Sequence, residues 1–181
     1  MRNQFVSLSI IAISLCTFII AGCSGWDPEQ AQKEDLIVQA TIAQFKKADP
    51  SMQTYFDNAY GYAVFPTVGK GAYIIGGGHG KGWVFAQETL VGYARITQIT
   101  VGAQIGGQSY SELIFFKDAQ ALELFKTGNL AFAAQATAVI ATEGASKDRS
   151  YNDGVAVFTL PKAGAMAEAS IGGQKFSYYP K

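Results

Sequence analysis

Hydrophobic and polar positions divide this chain into stretches of different period. An almost unbroken apolar run from Phe5 to Ile20 follows Met1-Arg2-Asn3 and ends in the small residues Ala21-Gly22 before Cys23. Ser24 to Lys33 is polar and reads as a tether. From Glu34 the spacing predicts an amphipathic helix, with Ile37, Val38, Ile42 and Phe45 on one side. Asp49-Pro50 stops that helix and starts another, with Asp49 as N-cap and Met52, Tyr55, Phe56 and Ala59 facing one way; Gly61 is placed to end it.

Beyond Gly61 the period shortens. Ile99, Val101, Ala103 and Ile105 alternate with Gln98, Thr100, Gly102 and Gln104, as in a half-buried strand, and Ser111 to Phe116 reads as another. Asp118 caps a short helix that turns Leu122 and Phe125 inward and ends at Gly128. Ala131 to Ile140 is read as a strand, although its alanines favour helix. Gly154–Leu160 and Met166–Tyr179 predict a final hairpin, entered through Asp153-Gly154 and turned at Lys162-Ala163-Gly164. Ile105-Gly106-Gly107-Gln108 recurs as Ile171-Gly172-Gly173-Gln174, each copy marking a bulge or bend. The expected architecture is a single α+β domain, with N-terminal helices packed on a glycine-rich, mainly antiparallel sheet.

The first apolar run predicts export. Small residues before a cysteine suit signal peptidase, and Ile20-Ala21-Gly22-Cys23 fits the lipobox of bacterial lipoproteins. A retained membrane span is the competing reading, but the run is at the short limit of the roughly 17 to 25 residues needed. An ordinary secretory signal with an incidental cysteine is a second. The lipoprotein reading divides the chain into a signal peptide (1–22), a lipidated tether (23–33) and a folded domain (34–181). Acyl chains on Cys23 would then hold the protein to a membrane without a spanning helix. Ser24, where aspartate favours inner-membrane retention in enterobacterial lipoproteins, points to the outer membrane, facing the periplasm.

Charge narrows the partners. The 14 basic and 14 acidic residues balance, which gives none of the excess expected for a nucleic-acid partner. His79 is the only histidine and Cys23 is committed to acylation, so neither a zinc site nor another metal or cofactor is expected. No catalytic constellation stands out, and a non-enzymatic protein is expected.

Of the 20 glycines, 12 fall between residues 61 and 107. Within them Gly76-Gly77-Gly78-His79-Gly80-Lys81-Gly82 fits neither a P-loop nor G-x-G-x-x-G. It reads as a flexible loop that either turns the chain or receives a phosphate on its backbone amides. Lys70, Lys81 and Arg95 flank the glycine-rich strands and are the candidate phosphate-contacting patch. The alternative for these three is ordinary solvated surface charge.

The segment Gly61-Tyr62-Ala63-Val64-Phe65-Pro66-Thr67-Val68-Gly69-Lys70-Gly71 is similar to the signature of the SYLF domain family. So are Ile75-Gly76-Gly77 with Gly80-Lys81-Gly82, Gly102-Ala103-Gln104-Ile105-Gly106-Gly107-Gln108, and Ala121-Leu122 with Phe125 and Gly128; the resemblance covers about residues 35 to 181. It implies a non-enzymatic, phospholipid-binding domain, found in eukaryotic proteins that bind phosphoinositides and regulate actin, and in bacterial envelope lipoproteins. Head-group contact by Lys70 and Lys81 is carried over from it by position and charge. The chain departs from eukaryotic members in lacking an SH3 domain and a basic N-terminal segment: Asp27, Glu29, Glu34 and Asp35 outnumber Lys33. The rival expectation is a structural or protein-interaction lipoprotein whose only lipid contact is its acyl anchor.

Overall fold

The structure is a computed structural model that describes residues 28–72, 75–128, 138–147 and 149–181. The signal segment, Cys23, the start of the tether and most of the strand expected between Ala131 and Ile140 lie outside the described residues. Asp35–Lys181 makes one compact α+β unit.

Helix α1 (Pro28–Ala48) reaches back beyond the expected start at Glu34, because Ala31, Gln32 and Lys33 are good helix formers. Its buried stripe is Val38, Thr41, Ile42 and Phe45, an i, i+3, i+4, i+7 set. Ile37 falls just off that stripe and stays 51% exposed. A 3-10 turn (Pro50–Met52) follows, capped by the Asp49 side chain as expected, and leads into α2 (Gln53–Asn58). Helix α2 ends before Gly61. That glycine serves the next strand instead, since a Cβ there would lie 2.3 Å from the Phe85 carbonyl oxygen.

The sheet comprises β1 (Gly61–Ala72), β2 (Ile75–Ala86), β3 (Thr89–Phe116), β4 (Val139–Ile140) and β5 (Val155–Pro180). Helix α3 (Ala119–Lys126) stands between β3 and β4, with Asp118 accepting from the Ala121 amide and Gly128 at φ +77° beyond its end. All named pairings are antiparallel except the short β4–β5 one.

Strand β3 changes partner along its length. Thr89–Val101 pairs with β2, and Gly106–Phe116 pairs with β1. Because β1 and β2 run antiparallel, β3 must reverse around the end of their hairpin, and Gly106 there has φ +119°. Strand β5 follows β3 on the outside through the same reversal. The hairpin expected at Lys162-Ala163-Gly164 is therefore one continuous strand, with Ala163 and Gly164 paired to Ser109 and Gln108. Its backbone stays satisfied by β3, so the glycine has no need to turn the chain. The turn expected at Asp153-Gly154 is present, with φ of +49° and +79°, and enters β5.

This path curls the sheet strongly. The second half of β3 and the last part of β5 stand four strand intervals apart, roughly 19 Å across a flat sheet. Yet the Gln174 amide donates to Glu112 across 3.0 Å. The enclosed inner face holds one core, in which Phe65, Phe116, Phe125 and Phe176 make ring contacts and α3 supplies Ala121, Leu122 and Phe125. A second core lies on the other face, where α1, the 3-10 turn and α2 cover Val64, Phe85, Leu113, Phe115 and Phe158. Among the described residues no helix is long and apolar enough to cross a membrane.

Candidate functional site

The glycine cluster is not the loop expected from its composition. Gly76 to Gly82 lie within β2, paired on one side with β1 and on the other with β3. Alternation sends His79, Lys81 and Trp83 to the outer face, and Gly78, Gly80 and Gly82 to the inner one. The inner glycines make room for neighbours: a Cβ on Gly82 would lie 2.6 Å from the Phe65 ring, and one on Gly80 2.7 Å from the Thr67 carbonyl oxygen. Absence of a side chain, rather than freedom of the backbone, is what these positions require. Their amides belong to a strand ladder and are not a phosphate-binding loop.

The outer face is built in rows by strand register. Trp83, Tyr93 and Tyr179 form one row; Lys81, Arg95 and Ser177 the next; His79, Thr97 and Lys175 a third; Gly77, Ile99 and Gly173 a fourth. His79, Lys81, Arg95, Thr97, Lys175 and Ser177 are exposed, and none of the positions in these rows carries a carboxylate. Lys81 stands directly opposite Arg95. Like charges so placed are unfavourable in an isolated sheet. The Arg95 guanidinium also lies over the Tyr179 ring at 5.8 Å, and Trp83 meets Tyr93 edge to face at 6.4 Å. Ile99 is 63% exposed at one end of the face. At the other side, Ile37 of α1 joins His79, Lys81 and Trp83 in lining a groove of about 460 Å³.

The expected patch of Lys70, Lys81 and Arg95 therefore divides. Lys81 and Arg95 are neighbours on the outer face. Lys70 pairs with Gly78 and belongs to the inner face, where it lines a cavity with Gln98, Glu112 and Gln174. His79 is exposed on its strand, and no carboxylate lines its groove among the described residues. Among the described residues, no three His, Cys, Asp or Glu side chains gather there as a metal-ligand group.

Sequence reasoning missed the inner cavity. Glu112 is fully buried, and desolvation raises its pKa to about 7, against the lowering effect of its Gln174 hydrogen bond. The available signal was phase. Glu112 is in step with Ile114 and Phe116, Gln98 with Ala94 and Ile96, and Gln174 with Phe176, all of them inner-face residues. The apolar side of the expected Gln98–Ile105 alternation had pointed the other way, but Gln98 is buried and Ile99 exposed.

No known family profile matches the chain. Beta cell expansion factor A of Aeromonas veronii is similar to it, with 30% identity over 128 residues. The similarity covers 70% of this chain and 49% of the relative, so the chain spans about half the length of the curated protein it matches.

Proposed function

We propose that this protein is a non-enzymatic, SYLF-type lipoprotein of the cell envelope. In this reading the outer face of β2, β3 and β5 binds the phosphate head groups of anionic phospholipids. The observation that carries it is the Lys81–Arg95 pair, held opposite each other with no carboxylate in the surrounding rows. A phosphate between two such cations removes the repulsion that the bare sheet must tolerate. The aromatic rows support the same reading, because tyrosine and tryptophan suit a membrane interface where one end of the ring is apolar and the other wet. Exposed Ile99 and Ile37 add apolar contact beside the cations.

Co-sedimentation of a chain beginning at Ser24 with phosphatidylglycerol/phosphatidylcholine vesicles tests this without an acyl anchor. Lys81→Ala and Arg95→Ala are each expected to weaken low-salt binding about 5-fold, near 1 kcal/mol per cation, with the effect fading as salt rises. Lys70→Ala, on the inner face, should leave it within about 2-fold. Binding to anionic vesicles that ignores both outer-face substitutions would remove the site. No head-group dependence at all would favour a protein-interaction role.

The anchor belongs to the same proposal and is tested separately. Mass spectrometry of the native N-terminus is expected to find an acylated Cys23 as the first residue, with the protein in the outer membrane facing the periplasm. A chain retaining Met1 or carrying an unmodified cysteine would refute this part.

A further inference from the structure

The inner cavity has a chemistry of its own. Three of its lining side chains are more than nine-tenths buried: Glu112 is 0%, Gln174 4% and Gln98 6% exposed. Each carries an oxygen that receives no hydrogen bond among the described residues, namely Glu112 Oε1, Gln174 Oε1 and Gln98 Oε1. The Gln174 amide is oriented by its bond to Glu112, since only its NH₂ group can donate to the carboxylate, and this turns its oxygen elsewhere. Gln98 and Gln174 are direct partners on adjacent strands, so the orphaned groups share one floor. Buried acceptors left unmet are costly, and here all three are of the same kind.

The site therefore asks for a ligand rich in hydrogen-bond donors and positively charged. A divalent metal fits poorly, because a single carboxylate balances it and the Lys70 ammonium lines the same cavity. Lys70 is half-buried and supplies the opposite charge from Glu112. At about 230 Å³ the cavity is smaller than the roughly 300–1,000 Å³ of clefts for drug-sized ligands, so the guest is small or enters by one end.

We propose that this cavity binds a small primary-ammonium phosphate zwitterion. The ammonium donates to Glu112, Gln98 and Gln174, and the phosphate meets Lys70. A primary ammonium has three N–H donors for the three orphaned oxygens. A trimethylammonium group has the charge but no donor. The raised pKa of Glu112 agrees with a carboxyl that lacks its counter-ion. The site lies on the opposite face of the sheet from Lys81 and Arg95, and does not depend on their role.

Phosphoethanolamine and phosphocholine, titrated calorimetrically into the full chain in detergent, test the donor requirement. Phosphoethanolamine is expected to bind at least about 10-fold more tightly. Glu112→Gln should abolish most of that preference. Equal binding of both probes, no saturable binding, or an unaltered preference in Glu112→Gln would each overturn the proposal. The wild-type comparison stands even where a variant folds poorly.

Vesicles of equal charge then identify the source. A preference for phosphatidylethanolamine over phosphatidylcholine that is lost in Glu112→Gln assigns a lipid head group. Binding of the soluble probe without any vesicle preference assigns a free amine phosphate, and supports the site equally.

Discussion

Gly82→Ala is expected to destabilise the domain, whereas Gly77→Ala, in the same glycine cluster, leaves it as stable as before or slightly more so. A Cβ on Gly82 would meet three atoms of the Phe65 ring at 2.6, 2.6 and 2.9 Å. Phe65 is fully buried and in ring contact with Phe176, so it has nowhere to go. Overpacking of this kind costs about 1–3 kcal/mol, of which about 0.4–1 kcal/mol is recovered by restricting the unfolded chain. Gly77 faces outward and a Cβ there meets nothing within 4 Å, so only the favourable contribution remains. For a chain of this size each kcal/mol moves Tm by about 2–4 °C, and thermal denaturation should separate the two variants clearly. Equal midpoints would mean that β2 does not pack closely against Phe65.

The second large effect concerns Asp49. Its carboxylate is fully buried and accepts from the Ser51 amide (3.1 Å), the Ser51 hydroxyl (2.5 Å), the Gly144 amide (3.2 Å) and the Ser146 amide (2.7 Å). One group thus caps the 3-10 turn and ties it to the segment after β4. Asp49→Ala would leave several donors without an acceptor, and the loss is expected to be about 3 kcal/mol, more than a simple N-cap contributes. Burial alone would raise the carboxyl's pKa, but the hydrogen bonds from Ser51, Ser146 and Gly144 outweigh it and lower it below 3.8. For a depressed carboxyl the contribution is present above the unfolded value and lost as pH falls through the folded one. Urea midpoints followed downward from pH 5 should therefore fall more steeply in the native chain than in Asp49→Ala. Parallel curves would show that the ionised form is not what the native state holds.

Asp49 and its neighbours also mark where the sequence was easiest to read. Helix ends have local causes, so Asp49-Pro50, Asp118 and Gly128 could be placed from their side chains and backbone preferences alone. The same holds for Asp153-Gly154, where positive φ has a recognisable preference. The reversal of β3 and β5 has no such mark. It is set by which strand lies alongside, a contact between residues far apart in sequence. The glycines of β2 were misread for a different reason. Glycine serves both where φ must be positive and where a Cβ would collide, and the sequence does not separate these uses. Gly106 meets the first need; Gly80 and Gly82 meet the second. The candidate site divided because of register. Lys81 and Arg95 share a face because of register, and Lys70 leaves it because Val68 and Lys70 follow a register shift between Val64 and Thr67.

The nesting of β5 outside β3 has a consequence for the order of assembly. Hairpins β1–β2 and β2–β3 can form from nearby segments as the chain emerges. The inner core cannot close then, because Val155, Val157 and Phe176 all belong to the last strand. Their partners lie far back in the chain, and contacts of such separation form slowly because a long loop must first be closed. An unfinished chain therefore lacks the strand that closes its inner core. On the proposal that the chain is exported, a core completed only by its final strand gives time for passage through a membrane before folding ends.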